Sequence, residues 1–231
     1  MKRSTGERTL EVMGEAKWYN DWLISWMRPE LGRRVLEVGA GSGNLSGLLA
    51  REVEELVVSD VEGKYVGSLK KRWGKRVRVR RVDMEKGGRG LAAGYFDSVV
   101  CVNVLEHIKD DKRALKNMRR WLRRGGNLLL LVPAHTWLYS KFDRNLGHFR
   151  RYSEGEVEDK LGEVGFRVRI VRHLNWWGAV GWWFWFKLWG RKEMSKSPVG
   201  IFDGLGRFFL WPEKWVKLPW GLSVLAVGEK R

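Results

Sequence analysis

A glycine-rich turn is the stretch of this chain best suited to binding chemistry. It lies within RVLEVGAGSGNLSGLLA, residues 34–50. Glycine at positions 39, 41 and 43 lets the backbone turn tightly and approach a ligand where a Cβ would intrude. A dinucleotide-binding turn reads G-x-G-x-x-G, but Asn44 stands where the third glycine should be. The glycines alone leave a dinucleotide site open, and the broken pattern argues against it.

Polar residues also follow the other apolar runs of the sequence, each at the point where a strand should end. In an open α/β sheet, ligands bind outside the carboxyl ends of the strands. We therefore expect these groups to converge on one rim. They are Glu37, Asp60, Asp83 with Met84, Asn103 with Glu106 and His107, and Pro133 with Ala134 and His135.

The elements that position this rim alternate between strand and helix. Short apolar runs and amphipathic segments follow one another over residues 33–135, which predicts a doubly wound, mostly parallel α/β sheet. Arginine at 78 and 80 alternates with valine at 77 and 79, as in an edge strand protected by charge. Helices are predicted over residues 15–28 and over 110–124, the second stopped by Gly125 and Gly126. Further strands are predicted over 166–174 and 222–230, with the last running antiparallel.

Taken together, VLEVGAGSGNL, Asp60, Asp83-Met84 and FDSVVCVNVLEHI resemble the motifs of class I S-adenosylmethionine-dependent methyltransferases. The resemblance implies a Rossmann-like sheet of seven strands and S-adenosylmethionine as cofactor. It also implies that Glu37 orients the turn, that Asp60 accepts both ribose hydroxyls, and that Asp83 and Met84 hold the adenine. The implied cofactor-binding set is Glu37, Gly39, Ala40, Gly41, Gly43, Asp60, Val61, Asp83, Met84, Asn103 and Val104.

Methyl transfer from a sulfonium is a direct displacement, so such an enzyme chiefly aligns the acceptor with the methyl group. A general base is needed only when the acceptor must lose a proton. His107, His135 and His148 are candidates, with a structural role as the alternative for each. The NVLEH stretch is similar to methyltransferases in which a Glu-His pair helps to hold a divalent metal. Because Asn103 replaces the acid found there, no metal is predicted.

A second segment, VPAHTWLYSKFDRNLGHFRRYS over residues 132–153, resembles the P-A-H…L-G-H-x-R-R-Y stretch of a bacterial and archaeal methyltransferase subgroup. That subgroup is often associated with glycosyltransferases or cell-envelope genes. Adjacent arginines favour an acceptor with a carboxylate or phosphate. The predicted substrate-binding residues are Tyr19, Arg150, Arg151 and Tyr152. Ion pairs of the arginines with Glu154 and Glu156 are the alternative.

The composition of the chain limits the classes of partner that it could bind. Lys plus Arg number 44 against 27 Asp plus Glu, a net charge of +17. Such charge favours nucleic acid, an anionic membrane or an acidic substrate, but it is dispersed, and neither an N-P-P-Y motif nor an RNA-binding module is present. The lone Cys101 excludes an internal disulfide framework and favours an intracellular protein. No apolar stretch reaches the ~20 residues of a spanning helix.

We expect a single domain over residues 1–231. It comprises an N-terminal helical lid over 1–32, a cofactor-binding core over 33–174, an aromatic insertion over 175–221 and a last strand over 222–231. The insertion holds most of the chain's 15 Trp residues. Trp and Phe among Lys and Arg favour peripheral contact with a membrane interface. A helical cap on the sheet is the alternative.

The expected function is methyl transfer from S-adenosylmethionine to oxygen of a small-molecule, sugar-linked or lipid-linked acceptor. The expected location is the cytoplasm, with contact to the inner face of the membrane. One alternative is an RNA or protein acceptor bound by the basic surface. Another is a non-catalytic membrane-surface protein that retains the cofactor fold.

Overall fold

The computed structural model describes residues 4–88, 90–191 and 196–231. Residues 1–3 of the expected lid and 192–195 of the expected insertion lie outside these ranges. The strands are β1 (Arg34–Val38), β2 (Glu55–Asp60), β3 (Arg78–Arg81), β4 (Phe96–Val102), β5 (Leu122–Pro133), β6 (Phe166–Leu174) and β7 (Ser223–Lys230). The helices are α1 (Thr5–Glu15), α2 (Lys17–Met27), α3 (Ser46–Glu52), α4 (Gly63–Trp73), α5 (Asp111–Trp121), α6 (Lys141–Leu146), α7 (Glu154–Glu163), α8 (Trp176–Trp182) and α9 (Lys196–Phe209).

All of these strands join one seven-stranded sheet in the order β3-β2-β1-β4-β5-β7-β6. Strands β1 to β5 are parallel, and β7 runs antiparallel to β5 and β6. The strand order reverses between β1 and β4, which is where an open α/β sheet binds its ligand. The predicted doubly wound, Rossmann-like fold with an antiparallel last strand is confirmed.

Helices cover both faces of the sheet because its central strands are apolar on both sides. Leu36 of β1 belongs to the core that α5 and α7 cover, and its neighbour Val35 belongs to the core that α2, α3 and α4 cover. Successive side chains of a strand point to opposite faces. The predicted edge strand is also found, since β3 pairs only with β2.

The predicted helix over 110–124 is too long. Helix α5 ends at Trp121, and the extended Leu122 already pairs with Phe96 of β4. The register then shifts so that Asn127 faces Ser98. Gly125 has φ of 70°, and Gly126 lies against the carbonyl oxygens of Phe96 and Asp97. The two glycines therefore form an irregularity within β5 rather than the end of the helix.

The predicted helix over residues 15–28 corresponds to α2, and a further helix, α1, precedes it. Helix α1 starts in a capping box formed by Ser4 and Glu7. The helical backbone is interrupted at Ala16, and the N-cap residue of α2 makes no side-chain hydrogen bond to the helix. The carboxylate of Asp203, in α9, instead accepts the backbone N–H groups of Trp18 and Tyr19 at 3.3 and 2.8 Å. This bond ties the insertion to the lid.

The described part of the insertion consists mainly of helical segments and contains no strand. Helix α8 continues into a π-helical segment, Trp183–Leu188, and α9 is followed by a short helical turn, Trp211–Lys214. The buried carboxylate of Glu213 accepts the backbone N–H groups of Asn175 and Trp176 at 2.9 and 2.7 Å, which holds the start of α8. Within the described ranges, no helix combines the length and apolar content needed to cross a bilayer.

Asp97 of β4 links this strand to its neighbours β1 and β5. It also makes the stability of the fold depend on pH, which can be tested. Its carboxylate accepts the backbone N–H of Arg34 at 2.8 Å and pairs with the Arg34 and Arg123 side chains. Burial alone would raise the pKa of Asp97, but the bonds from Arg123 and Arg34 lower it to about 2. Because this pKa is below that of the unfolded chain, the stabilisation is present above about pH 4 and is lost toward pH 2.

We therefore expect Asp97→Asn to lower the free energy of unfolding by about 2 kcal/mol near pH 7. The difference from wild type should shrink as the pH falls toward about 3. Urea unfolding at several pH values measures it, with Asp159→Asn, an exposed carboxylate of α7, as control. A deficit that stays constant with pH would contradict the assignment.

Candidate active site

The glycine turn after β1 has the strained backbone that its sequence predicts. Gly39, Gly41 and Gly43 have φ of 67°, 54° and 79°, values that other residues rarely adopt. The turn is anchored to β2, since the Ala40 N–H donates to the Ser59 carbonyl at 2.9 Å. A Cβ on Gly39 would collide with the Val104 side chain. The turn and the end of β4 are therefore in direct contact.

Two acids predicted to bind the cofactor are fixed around this turn. Asp60 accepts the backbone N–H of Gly41 at 2.8 Å with one oxygen and that of Glu62 at 2.9 Å with the other. Burial, only partly offset by these bonds, raises its pKa. Each carboxylate oxygen keeps a second lone pair, so Asp60 can still accept the ribose hydroxyls.

Glu37 lies buried beneath the turn. Its carboxylate accepts the Ser46 hydroxyl at 2.6 Å, and burial raises its pKa to about 7. A buried carboxylate with one hydrogen bond fits a cationic ligand group, which would favour its ionised form. The two acids and the open glycine backbone thus fit the amino-acid and ribose parts of S-adenosylmethionine. Sequence reasoning missed Ser46, the first residue of α3, whose hydroxyl reaches Glu37 from just beyond the glycines.

The remaining predicted cofactor residues lie at the ends of β2, β3 and β4. Val61 is exposed, and Asn103 has a left-handed backbone with φ of 51°. Asp83 accepts the backbone N–H groups of Glu85 and Lys86 at 3.0 and 3.2 Å, and Met84 is buried. Although burial raises it, these backbone bonds lower the pKa of Asp83 overall. Because β1 to β4 are parallel neighbours, the predicted cofactor set shares one edge of the sheet.

Helix α1 covers the glycine turn. The Leu10 side chain lies so close to Gly41 that a Cβ there would meet it. The Asn44 side chain donates to the Leu10 carbonyl at 2.8 Å and accepts the Ser42 hydroxyl at 2.8 Å. Glu7 of α1 also pairs with Lys64 of α4 at 3.1 Å. Sequence reasoning treated Asn44 only as a missing glycine and did not find this link to the lid.

A second cluster forms where the chain leaves β4. Glu106, His107 and His148 each place a ligand-type atom within 4.8 Å of the others. The His107 and His148 rings meet edge to face at 4.6 Å, and the Phe149 N–H donates to the Glu106 carbonyl at 2.8 Å. Burial raises the pKa of Glu106 to about 7 and, with His148 nearby, lowers that of His107 to about 4.

The third histidine candidate lies apart from this cluster. His135 stacks on His173 with ring centroids 4.7 Å apart, and its backbone has φ of 60°. Burial and the neighbouring His173 lower its pKa. The structure thus brings His107 and His148 together beside Glu106 and leaves His135 with His173.

The predicted acceptor residues need correction, because their polar atoms are used inside the protein. Arg151 is 2% exposed; its guanidinium donates to Asp143 at 2.8 Å and to the Ala134 carbonyl at 3.0 Å, and stacks over Trp182. The fully buried Tyr152 donates to Asp111 at 3.2 Å. The parallel bridge between Ala134 and Tyr152 folds this segment against β5, which turns both side chains inward.

The other two predicted acceptor residues are also occupied. Arg150 pairs with Asp111 at 3.0 Å and donates to the Lys109 carbonyl at 2.8 Å, although it stays partly exposed. Both arginines form internal ion pairs, as the alternative prediction stated. Their partners, however, are Asp111 and Asp143 rather than Glu154 and Glu156. Tyr19 is buried between lid and insertion beside Phe202, and burial raises its pKa to about 12.

The two arginines should respond differently to removal. Arg151→Ala leaves the buried Asp143 carboxylate without its guanidinium, which costs about 3–5 kcal/mol of unfolding free energy. Arg150→Ala breaks a partly exposed pair, and we expect a loss of about 1 kcal/mol or less. Urea unfolding of both variants measures this. Wild-type stability of Arg151→Ala, with weaker acceptor binding, would restore the role predicted from the sequence.

Comparisons with known proteins agree with this geometry. A family model described as a methyltransferase domain matches residues 36–130. A probable S-adenosylmethionine-dependent methyltransferase of Mycolicibacterium smegmatis is 29% identical over 173 residues, which cover 71% of this chain and 65% of the relative. The chain thus spans slightly less than two thirds of that relative.

Two further matches extend the comparison. A ubiquinone biosynthesis O-methyltransferase of Dechloromonas aromatica is 29% identical over 67% of this chain and 86% of the relative. A crystal structure of an S-adenosylmethionine-dependent methyltransferase from Archaeoglobus fulgidus superposes with a TM-score of 0.62 at 16% identity, covering 91% of this chain and 94% of the other. Residues 36–130 therefore match a methyltransferase domain, the chain has the fold of class I methyltransferases, and the relatives of this kind are named for their use of S-adenosylmethionine.

Proposed function

We propose that the chain transfers a methyl group from S-adenosylmethionine to an oxygen atom of a small-molecule, sugar-linked or lipid-linked acceptor. The observation that carries this proposal is the Glu106–His107–His148 cluster at the end of β4. A hydroxyl acceptor must lose a proton as it is methylated, whereas a neutral amine can attack directly. Proton-accepting groups beside the glycine turn therefore favour methylation of an oxygen atom.

The residues around the turn would hold and orient the reactants. Asp60 would accept the ribose hydroxyls, and Glu37 would face the cationic amino-acid end of the cofactor. When bound, S-adenosylmethionine supplies an electrophilic methyl group. The protein's part is alignment and exclusion of water, and α1 with Leu10 covers the turn from solvent.

The oxygen assignment also has support from one relative. The Dechloromonas protein is named for O-methylation in ubiquinone biosynthesis. A rabbit relative, 32% identical over 133 residues, is named glycine N-methyltransferase, and the match covers 44% of that protein. The relatives thus methylate different atoms, and the cluster at β4 is what separates the two possibilities for this chain.

The exposed surface of the insertion supports an acceptor at a membrane. Helix α9 buries Val199, and Leu210 directly after it is also buried, but Ile201, Leu205 and Phe208 of the helix are exposed and spaced for one helical face. The exposed Trp211 and Trp215 follow directly. A helix that is apolar on both sides does not suit contact with water, so this second face calls for an apolar surface to cover it.

The charges of the insertion make an anionic bilayer the matching surface. Among its described side chains, every exposed charged group is basic: Lys187, Arg191, Lys214 and Lys217. The acids Asp203 and Glu213 point inward to backbone N–H groups. Aromatic and basic side chains together are typical of helices at a lipid interface.

The alternative of an RNA or protein acceptor finds no support at the rim. A basic cavity of about 800 Å³ lies between the end of α4 and the start of β3, lined by Lys70, Lys71, Arg72, Trp73, Lys75, Arg76, Arg78 and Arg80. The start of β3 is at the amino edge of the parallel sheet, opposite the edge with the cofactor turn. A polyanion held there would not be presented to the methyl group.

Methyl transfer is tested with methyl-labelled S-adenosylmethionine and two acceptor pools, an organic lipid extract and an aqueous extract. We expect label in the lipid pool, bound to oxygen. Asp60→Ala should lower cofactor affinity at least about 10-fold by calorimetry, because it removes charged hydrogen bonds, and should reduce labelling accordingly. Asp159→Asn is the control. Label on nitrogen only would overturn the oxygen assignment; absence of cofactor binding by wild type would overturn the activity.

Membrane contact is tested by co-sedimentation with vesicles that contain phosphatidylglycerol. The double variant Trp211→Ser, Trp215→Ser should bind about tenfold more weakly or worse, since each buried aromatic ring contributes on the order of 2 kcal/mol. Trp137→Ser removes an exposed Trp outside the insertion and should bind as wild type does. Equal binding of all three proteins, or equal binding to uncharged vesicles, would contradict the proposal.

A further inference from the structure

The cluster at the end of β4 has the composition of a metal site. One ligand atom each of Glu106, His107 and His148 lies within 4.8 Å of the other two. Atoms bound to a shared ion at about 2.0–2.2 Å lie roughly 3–3.5 Å apart, so small side-chain movements of about 1 Å would complete the site. We propose that these three side chains bind one divalent first-row transition-metal ion.

Glu106 is the first reason. The residue is fully buried, and neither of its carboxylate oxygens has a hydrogen-bond partner. Buried polar groups are nearly always paired, and an exception calls for an explanation such as an ion. The nearest ion-pair contact, to His148 Nε2, is 3.9 Å long and involves one oxygen only. A cation bound between the three side chains would give at least one of these oxygens a partner, and both if the carboxylate bound in a bidentate manner.

The orientation of the imidazole rings is the second reason. His148 Nδ1 is 3.1 Å from an Asp143 oxygen. The same carboxylate also accepts Arg151 and both the N–H and the hydroxyl of Ser140 at 2.8 Å. Asp143 therefore acts only as an acceptor, so Nδ1 carries the proton, and the lone pair of Nε2 points toward Glu106.

The ring of His107 lies beside the backbone of Gly147. Metal-binding histidines characteristically use their second nitrogen to bond a carboxylate or a backbone carbonyl. His148 has such an outer partner in Asp143. A simple ion pair between Glu106 and His148 would not involve His107 and would leave the second oxygen of Glu106 without a partner.

The donor set indicates the kind of ion. Two imidazole nitrogens and one carboxylate oxygen suit the series from manganese to zinc, whereas magnesium and calcium prefer oxygen ligands alone. The sequence predicted no metal because Asn103 replaces an acid. The structure brings His148 to the cluster instead, from the loop that follows α6.

Three protein ligands leave coordination positions free for another molecule. An ion here would acidify a hydroxyl bound to it. It would thereby replace direct proton acceptance by these side chains as the way to activate the acceptor oxygen, and that consequence rests on the proposed function. Ion binding itself does not depend on turnover. The two proposals can therefore fail separately.

The test is titration of the full chain, freed of metal by a chelator, with Co²⁺ and with Zn²⁺. Equilibrium dialysis should find one ion per chain, and bound Co²⁺ should show the visible absorption of nitrogen and oxygen ligation. Glu106→Gln and His148→Ala should each weaken binding at least about 10-fold. His135→Asn is the matched control, because it removes an imidazole outside the cluster at a positive φ that Asn tolerates.

Each variant is checked by near-ultraviolet circular dichroism and by calorimetry with S-adenosylmethionine in the absence of metal. If a variant misfolds, the stoichiometry and the cobalt spectrum of the wild type still test whether the chain binds one metal ion through nitrogen and oxygen ligands. Absence of stoichiometric binding by the wild type would overturn the proposal. Unchanged binding in both cluster variants, or an equal loss in His135→Asn, would also overturn it. Normal metal binding without methyl transfer would leave the metal site standing and refute the proposed function.

Discussion

The segment between β5 and α7 is organised by one buried carboxylate, that of Asp143. It caps helix α6 through Ser140, orients the ring of His148, and pairs with Arg151. Arg151 in turn reaches the end of β5 through the Ala134 carbonyl and stacks on Trp182 of the insertion. A buried charge is costly unless it is fully paired. The segments around Asp143 can therefore take few arrangements other than this one.

Charge is unevenly distributed in this strongly basic chain. The acids Glu37, Asp60, Asp83 and Glu106 collect at the carboxyl edge of the sheet, while a basic cavity lies at the amino edge. Net charge alone suggested a polyanionic partner. The local field at the cofactor turn instead suits a cationic ligand, since Glu37 and Asp60 lie next to its open backbone. Local placement decides which ligand binds there, and the total charge does not.

The strands could be predicted from sequence because each central one is a short apolar run bounded by turn residues. The predicted strand over 166–174 coincides with β6. The positions of the glycines and acids around the glycine turn could also be predicted, because they depend on residues close in sequence. Contacts between distant segments could not be predicted. The partners of Arg150 and Arg151 are Asp111 and Asp143, and no local pattern indicates which face of the segment they occupy. Helix α5 likewise ends earlier than predicted because Leu122 pairs with Phe96 of β4, a contact between distant segments.

The bond from Asn44 to Leu10 couples the cofactor turn to the N-terminal helix. Because Leu10 lies against Gly41, a ligand that approaches the turn from this side meets α1 first. Helix α1 is also tied to α4 by the Glu7–Lys64 pair and to the apolar core by the buried Val12. The turn and the N-terminal helix are therefore placed relative to each other by side chains as well as by the backbone. Asn44, which departs from the dinucleotide pattern, thus has a structural role: it connects the turn to the segment that covers it.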